Sequence, residues 1–264
     1  MARFVLSFLL VVLLPAPART TAPGPLVVVG GGEIGPEIVS RTLALAGGRD
    51  AIVAVLPQSS AEPDAGDSSV KMWLDAGAKG AAKLAFSDPE AAGKLRHATL
   101  IWMPGGDQNR FMQAIAGTGL DEVIRERHNA GITVGGSSAG AAILADVMFT
   151  GDADLKSITA GATVTAKGLG LWPRVLIDQH FLKRQRDNRL ISAVLDRPDL
   201  VGVGIDEATA VIVTGSSFEV VGQSSVVVVD ARAAKVEKAA RGAIASGTGM
   251  KLSVLKAGQR YSLN

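Results

Sequence analysis

The chain has no cysteine, only 4% aromatic residues and almost no imbalance of charge. Each shortage removes a class of function. Without thiols there is no disulfide scaffold, no cysteine nucleophile and no zinc site that relies on sulfur. So few rings leave no stacking platform for bases or glycans. Twenty-seven basic residues against 25 acidic ones give a net charge of +2, too small an excess for a dedicated nucleic-acid binder. What the 264 residues do hold is apolar material, 47% of the chain. That is too much for a disordered polypeptide and enough for one large α/β domain or two small ones.

Arg3 precedes an apolar run over residues 4–14 that only Ser7 interrupts, and Pro15-Ala16-Pro17-Ala18 then offers small residues for cleavage. The run is shorter than the roughly 20 residues needed to cross a bilayer. Residues 1–18 therefore read as a removable signal peptide, 19–25 as a linker with Pro and Gly breakers, and 26–264 as a single domain. Export to the periplasm or beyond follows, with no stable membrane insertion once the leader is gone. The lack of cysteine neither supports nor opposes that compartment.

Along the rest of the chain the apolar period alternates. Strands are expected at 25–29, 51–56, 99–103, 132–135 and 175–177, with helices at 36–45, near 68–75, at 120–129 and at 139–145. Beyond residue 201 come short strands at 201–205, 210–213, 218–221 and 225–230, joined by turns such as Thr214-Gly215-Ser216, and a last one at 250–255 with Tyr261. The pattern predicts an α/β fold: a doubly wound, mostly parallel sheet with helices on both faces and antiparallel edge strands toward the C-terminus.

Glycine is plentiful, at 31 residues, and its placement invites a cofactor first. Gly30-x-Gly32-x-x-Gly35 lies between a strand and a helix, as in a dinucleotide fingerprint. The fingerprint also wants an acid ending the second strand, which here ends in Leu56-Pro57-Gln58, while Asp50 sits before it. The glycines read better as a tight turn with Glu33 at the mouth of a pocket, and no cofactor or metal is expected.

Gly136-Ser137-Ser138-Ala139-Gly140, after an expected strand and before a small-residue helix, carries the G-x-S-x-G pattern of a nucleophile elbow. A sharp turn would hold Ser138 in strained dihedrals, with the Ala139 N–H aimed where an oxyanion forms. The serine needs a base, and three histidines are available. His97 reads as a solvated loop residue. His128 lies in a polar last helical turn, where a cation suits the helix dipole. His180 follows an apolar strand within Asp178-Gln179-His180-Phe181, the kind of place where open α/β sheets carry chemistry. An orienting carboxylate is offered by Asp206 or Glu207, adjacent at another strand end, and the residues alone do not choose between them.

Two further clusters suggest substrate handling. Gly105-Gly106 in Met103-Pro104-Gly105-Gly106-Asp107-Gln108-Asn109 offers a second oxyanion N–H, assigned to Gly106, and Gln108 an orienting amide. Lys183, Arg184, Arg186 and Arg189 follow His180; a helix begun near Lys183 would put Arg186 and Arg189 on one face. Arginine forks suit a substrate carrying carboxylates.

Taken together, the chain resembles the cyanophycinase group of the S51 serine peptidases, which have a glutamine-amidotransferase-like α/β fold. The most specific segments are Gly105-Gly106-Asp107-Gln108, Gly136-Ser137-Ser138-Ala139-Gly140-Ala141, Asp178-Gln179-His180-Phe181 with its arginines, and Gly204-Ile205-Asp206-Glu207. The resemblance implies Ser138 as nucleophile, His180 as general base and Glu207 as orienting acid. It implies substrate contacts at Gln108, Asp178, Gln179, Arg184, Arg186 and Arg189, with Asp178 meeting a substrate guanidinium. The implied substrate is cyanophycin, a poly-aspartate bearing arginine on its side-chain carboxyls, cut to β-aspartyl-arginine dipeptides without metal. Ser137 stands where the group usually has threonine, and keeps the hydroxyl. Export departs from enzymes of an intracellular reserve and keeps other β-aspartyl or isoaspartyl peptides open as substrates. A non-catalytic amidotransferase-like binding module is the reading from another class, and a homodimer is left open.

Overall fold

A computed structural model describes residues 22–150 and 156–264. The expected signal peptide, and the linker up to residue 21, lie outside the described residues. Residues 22–25 run into the first strand; the Gly24 N–H donates to the carbonyl of His128 (2.7 Å), and Gly24 O lies 2.8 Å from His128 Nε2.

The valine run becomes β1 (Leu26–Val29), buried along its whole length. It is followed by α1 (Pro36–Leu45), whose Pro36 occupies the first turn, where a missing N–H costs nothing. The alternation continues through β2 (Ile52–Val55), α2 (Asp67–Asp75), β3 (Gly80–Lys83), α3 (Ala91–His97), β4 (Leu100–Met103), α4 (Gln108–Ile115), α5 (Leu120–Asn129), β5 (Thr133–Ser137) and the single turn α6 (Ala139–Ala142). β1, β5, β4, β2 and β3 pair in parallel in that order. Register brings Val29 beside Ser137 and Met103 beside Gly136, so the carboxyl ends of three strands meet at the residue before Ser138.

The second half comprises the hairpin β6 (Val147–Phe149) and β7 (Thr165–Lys167), then β8 (Val175–Gln179), α7 (Asp187–Asp196), β9 (Val201–Ile205), β10 (Thr209–Thr214), β11 (Ser217–Gly222), β12 (Val226–Asp230), β13 (Lys235–Glu237), β14 (Ser246–Thr248), β15 (Lys251–Leu255) and β16 (Arg260–Ser262). β10, β11 and β16 extend the main sheet antiparallel from β1, as an edge addition requires. Four of the others build a second sheet, β15-β12-β9-β8, with β8 and β9 parallel, while β6 with β7 and β13 with β14 form separate two-stranded ribbons. The reason lies in burial. β8, β9 and β12 are buried at every residue, so both faces need cover. One face shares the central core with β1 and β5 through Val203, Ile205 and Val228. The other packs on Leu190 and Val194 of α7 through Val227 and Val229.

Several local expectations shift: His97, exposed as expected, ends a helix rather than sitting in a loop, and the helix expected over 139–145 is the single turn 139–142. The helix placed near Lys183 starts at Asp187, because the chain first turns through Gln185 at φ 51°. His128 does lie in the last turn of α5, but it is buried, and burial lowers its pKa, against the cation that the helix end would suit.

Candidate active site

Ser138 joins β5 to α6 with φ 55° and ψ −115°, a conformation that costs an L-residue on the order of 1–3 kcal/mol. The turn is tight enough that its glycines are steric necessities. A Cβ on Gly136 would lie 2.8 Å from the Met103 carbonyl oxygen, and one on Gly140 would run into the same carbonyl. Gly105 is the neighbour across the cleft: a Cβ there would sit 3.8 Å from Ser138 Oγ. Gly106 turns against Ser59, and the Ser59 hydroxyl holds the loop by donating toward the carbonyls of Pro104 and Gly105.

His180 leaves β8 at φ 51°. Its Nε2 is 2.8 Å from Ser138 Oγ, and its Nδ1 is 2.7 Å from Glu207 Oε1. The partners set the tautomer: a proton on Nδ1 faces the carboxylate, leaving the Nε2 lone pair for the serine hydroxyl. Burial, reinforced by the charges of Arg184 and Arg186, holds the imidazole below its ordinary pKa, against the opposing pull of Glu207. At neutral pH the ring is therefore in its basic form. Of the acidic pair, Glu207 reaches the imidazole. Asp206 instead accepts from the Lys183 N–H (2.9 Å) and the Ser224 hydroxyl (2.7 Å), anchoring the basic turn that follows His180.

The three segments hang from one place. Successive carbonyls of Val29, Gly30 and Gly31 accept the N–H groups of Ser138 (3.0 Å), His180 (2.7 Å) and Ala208 (3.0 Å), and all three donors have positive φ. The side chains then need room. A Cβ on Gly31 would stand 2.5 Å from His180 Nε2, and one on Gly32 would stand 3.0 Å from Glu207 Cβ. The space that a dinucleotide fingerprint would give to a pyrophosphate is filled by the imidazole. Sequence reasoning missed this role, and likewise Ser59, although both follow strands at their carboxyl ends.

The residues expected to touch substrate fare differently. Arg184 is exposed, beside His180. Gln108, Asp178, Gln179, Arg186 and Arg189 are buried. Gln108 donates its amide to Phe149 O (2.8 Å). Asp178 has no exposed surface and is gripped by the Arg189 guanidinium. Arg186 binds the side chain and carbonyl of Gln179. Arg186, at the helix N-cap, and Arg189 do turn the same way, but inward onto these partners. Beside Gly105 opens a cleft of about 390 Å³ lined by Pro57, Ser60, Glu62, Asp64, Asp67 and Pro104. No cluster of three or more acidic or histidine side chains fit for a metal occurs among the described residues.

The sequence pattern of peptidase family S51 matches residues 79–221. The chain belongs to that family. It is a serine-type peptidase of an α/β fold. A cyanophycinase of Geminocystis herdmanii is 35% identical over 254 residues, covering 90% of this chain and 93% of the relative. One from Synechococcus elongatus is 37% identical over 221 residues, covering 79% and 69%. Among solved structures, a peptidase from an acI-B1 Actinobacterium superposes with TM-score 0.68 at 21% identity, over 92% of this chain and 98% of that one. A putative peptidase E from Listeria monocytogenes gives 0.59 at 19%, over 77% and 100%. At these identities the structural likenesses speak for the fold.

Proposed function

We propose that the chain is an exported exopeptidase that hydrolyses cyanophycin to β-aspartyl-arginine dipeptides through Ser138, His180 and Glu207. The observation that carries the reading is the unbroken relay from Ser138 Oγ to His180 Nε2 (2.8 Å) and from His180 Nδ1 to Glu207 Oε1 (2.7 Å). Ser138 Oγ attacks the scissile carbonyl while its proton passes to Nε2, and Glu207 stabilises the imidazolium. The oxyanion is received by the N–H groups of Ala139 and Gly106. Collapse expels the amine, which takes the proton from His180 and leaves an acyl ester on Ser138. Water, deprotonated by the same imidazole, then cleaves the ester and restores the serine. Arg184 meets a substrate carboxylate, and the acids lining the cleft beside Gly105 suit its cationic groups.

The test is direct: purified protein incubated with cyanophycin releases β-aspartyl-arginine, and Ser138→Ala abolishes release while circular dichroism stays unchanged. Hydrolysis that survives this substitution removes the mechanism. Burial of five residues that the resemblance assigns to cyanophycin favours a second reading, a dipeptidase for isoaspartyl or N-terminal aspartyl peptides. Such peptides run beside cyanophycin decide between the two by kcat/KM. Export is checked separately, by N-terminal sequencing of the secreted protein, which is expected to start at Arg19.

A further inference from the structure

The loops at the carboxyl ends of β5, β4 and β2 stand side by side, because those strands are neighbours in the main sheet. The first carries Ser138, the second the turn Pro104-Gly105-Gly106-Asp107, and the third Ser59, which is 2% exposed. Ser59 holds the turn from both ends. Its hydroxyl lies 2.8 Å from the carbonyl oxygen of Gly105 and 3.0 Å from that of Pro104, and its own carbonyl accepts the Asp107 N–H at 2.7 Å. One proton serves two carbonyls, and the shorter contact is the one to Gly105. Gly106 passes so close that a Cβ on it would stand 2.6 Å from the Ser59 carbonyl carbon, and its φ of +141° disfavours any residue with a side chain. On the other side of the turn, a Cβ on Gly105 would meet Ser138 Cβ at 3.4 Å. Among the described residues, no group accepts the Gly106 N–H.

We propose that Ser59 is a positioning residue for the transition state, latching the peptide between Gly105 and Gly106 so that the Gly106 N–H faces the oxyanion. The inference rests on the reading of Ser138 as an acyl-transfer nucleophile. A peptide unit is planar and trans, so its carbonyl and its N–H point opposite ways. The Gly105 carbonyl turned to the Ser59 hydroxyl therefore sends the Gly106 N–H away from Ser59, to the side where Ser138 stands. Two consecutive glycines put no Cβ in the way of a half-turn of that peptide. Once flipped, the same unit would aim a carbonyl oxygen at the developing negative charge, and an attraction would become a repulsion. The flip would also strip the buried Ser59 hydroxyl of its nearer acceptor, and an unmet hydrogen bond is costly away from water. The hydroxyl thus holds the turn in its productive form before substrate arrives.

The test compares Ser59→Ala with the parent enzyme in steady-state kinetics on a soluble β-aspartyl-arginine oligomer and in inhibition by a boronic acid. The inhibitor is β-aspartyl-arginine with boronic acid in place of the aspartyl α-carboxyl. Ser138 Oγ adds to its boron while the hydroxyl proton passes to His180, and a boron hydroxyl then stands in place of the oxyanion. Ser59→Ala is expected to lower kcat by about 10- to 100-fold, because the productive form is depopulated rather than lost, whereas outright removal of a donor costs on the order of 10²–10³. KM should stay within about threefold, since the ground state carries no oxyanion. Affinity for the boronic acid should fall by the same factor as kcat/KM, as for a transition-state analogue. Ser59→Cys, close in shape and a weaker donor, should fall between the two, and carries the same comparison should Ser59→Ala not fold. A raised KM with kcat unchanged, a loss of kcat without a matching loss of boronic acid affinity, or unchanged kinetics overturns the inference. A parent enzyme indifferent to the boronic acid, or full activity in Ser138→Ala, sinks the catalytic reading beneath it instead.

Discussion

Gly31→Ala isolates how closely the backbone of β1 approaches the imidazole. The new Cβ would stand 2.5 Å from His180 Nε2, whereas unstrained heavy atoms keep ~3.5 Å or more. The ring must therefore retreat by roughly 1 Å, which breaks either the 2.8 Å contact with Ser138 or the 2.7 Å contact with Glu207. A misplacement of that size costs on the order of 100-fold in kcat. The backbone adds its own penalty, because Gly31 has φ +103°, and an alanine there loses about 1–3 kcal/mol of stability. Gly47 supplies the control: its φ is +104°, yet nothing lies within 4 Å of where its Cβ would be. Gly47→Ala should therefore lose comparable stability in a thermal melt and keep its activity. Dipeptide release from cyanophycin and melting curves, measured on both variants, separate clash from strain. If Gly31→Ala hydrolyses substrate no more slowly than Gly47→Ala, the reasoning about the slot is wrong.

Glu207→Gln keeps the shape and removes the charge that stabilises the imidazolium, so kcat should fall by about 10³-fold or more; Asp206→Asn, one residue away, should cost under about tenfold in kcat because its partners are Lys183 N and Ser224. Because burial and the nearby arginines depress the His180 pKa, the acid limb of kcat/KM should lie below the ordinary histidine value, and Arg184→Gln should raise it; a limb unmoved by that change counts against the charge argument. His128 and His180 both have lowered pKa values in the folded chain, so the unfolded chain binds more protons just below the ordinary histidine range. Stability should then fall as pH drops through that range, and His128→Gln should flatten the decline in melting temperature between about pH 7 and 5.

The parallel half of the fold was legible because hydrophobic period and punctuation agreed there. Pro36 and the Gly47-Gly48 stop bracket α1, and the valines of β1 admit only a buried strand. β3 was not legible: Gly80-Ala81-Ala82-Lys83 has no β-branched residue and becomes a strand through its pairing with β2. The second sheet was hidden for another reason. Buried strands such as β9 and β12 read alike whichever sheet receives them, since period alone says nothing about the partner. The serine elbow and the histidine were visible from residue type at strand ends. Arg186 and Arg189 were read as one face turned to a substrate carboxylate; that Asp178 and Gln179 take them inward was not legible, because charge alone does not name a buried partner.

The glycines after β1 show why a correct motif can carry the wrong chemistry. A G-x-G-x-x-G turn signals only that something must come close to the backbone, and in a dinucleotide site that something is a pyrophosphate. Here the carbonyls of Val29, Gly30 and Gly31 take the N–H groups of three residues, Ser138, His180 and Ala208, each held at positive φ. Every one of those conformations is unfavourable alone, and only at Ser138, between Gly136 and Gly140, does the local sequence announce it. They coexist because β1 lies between β5 and β10 in a buried sheet, so its end cannot yield. The missing side chains at Gly31 and Gly32 then leave a slot that fits one imidazole and one carboxyl. Rigidity from the core and emptiness from glycine are thus two halves of one requirement, and neither alone would bring three distant segments to a common point.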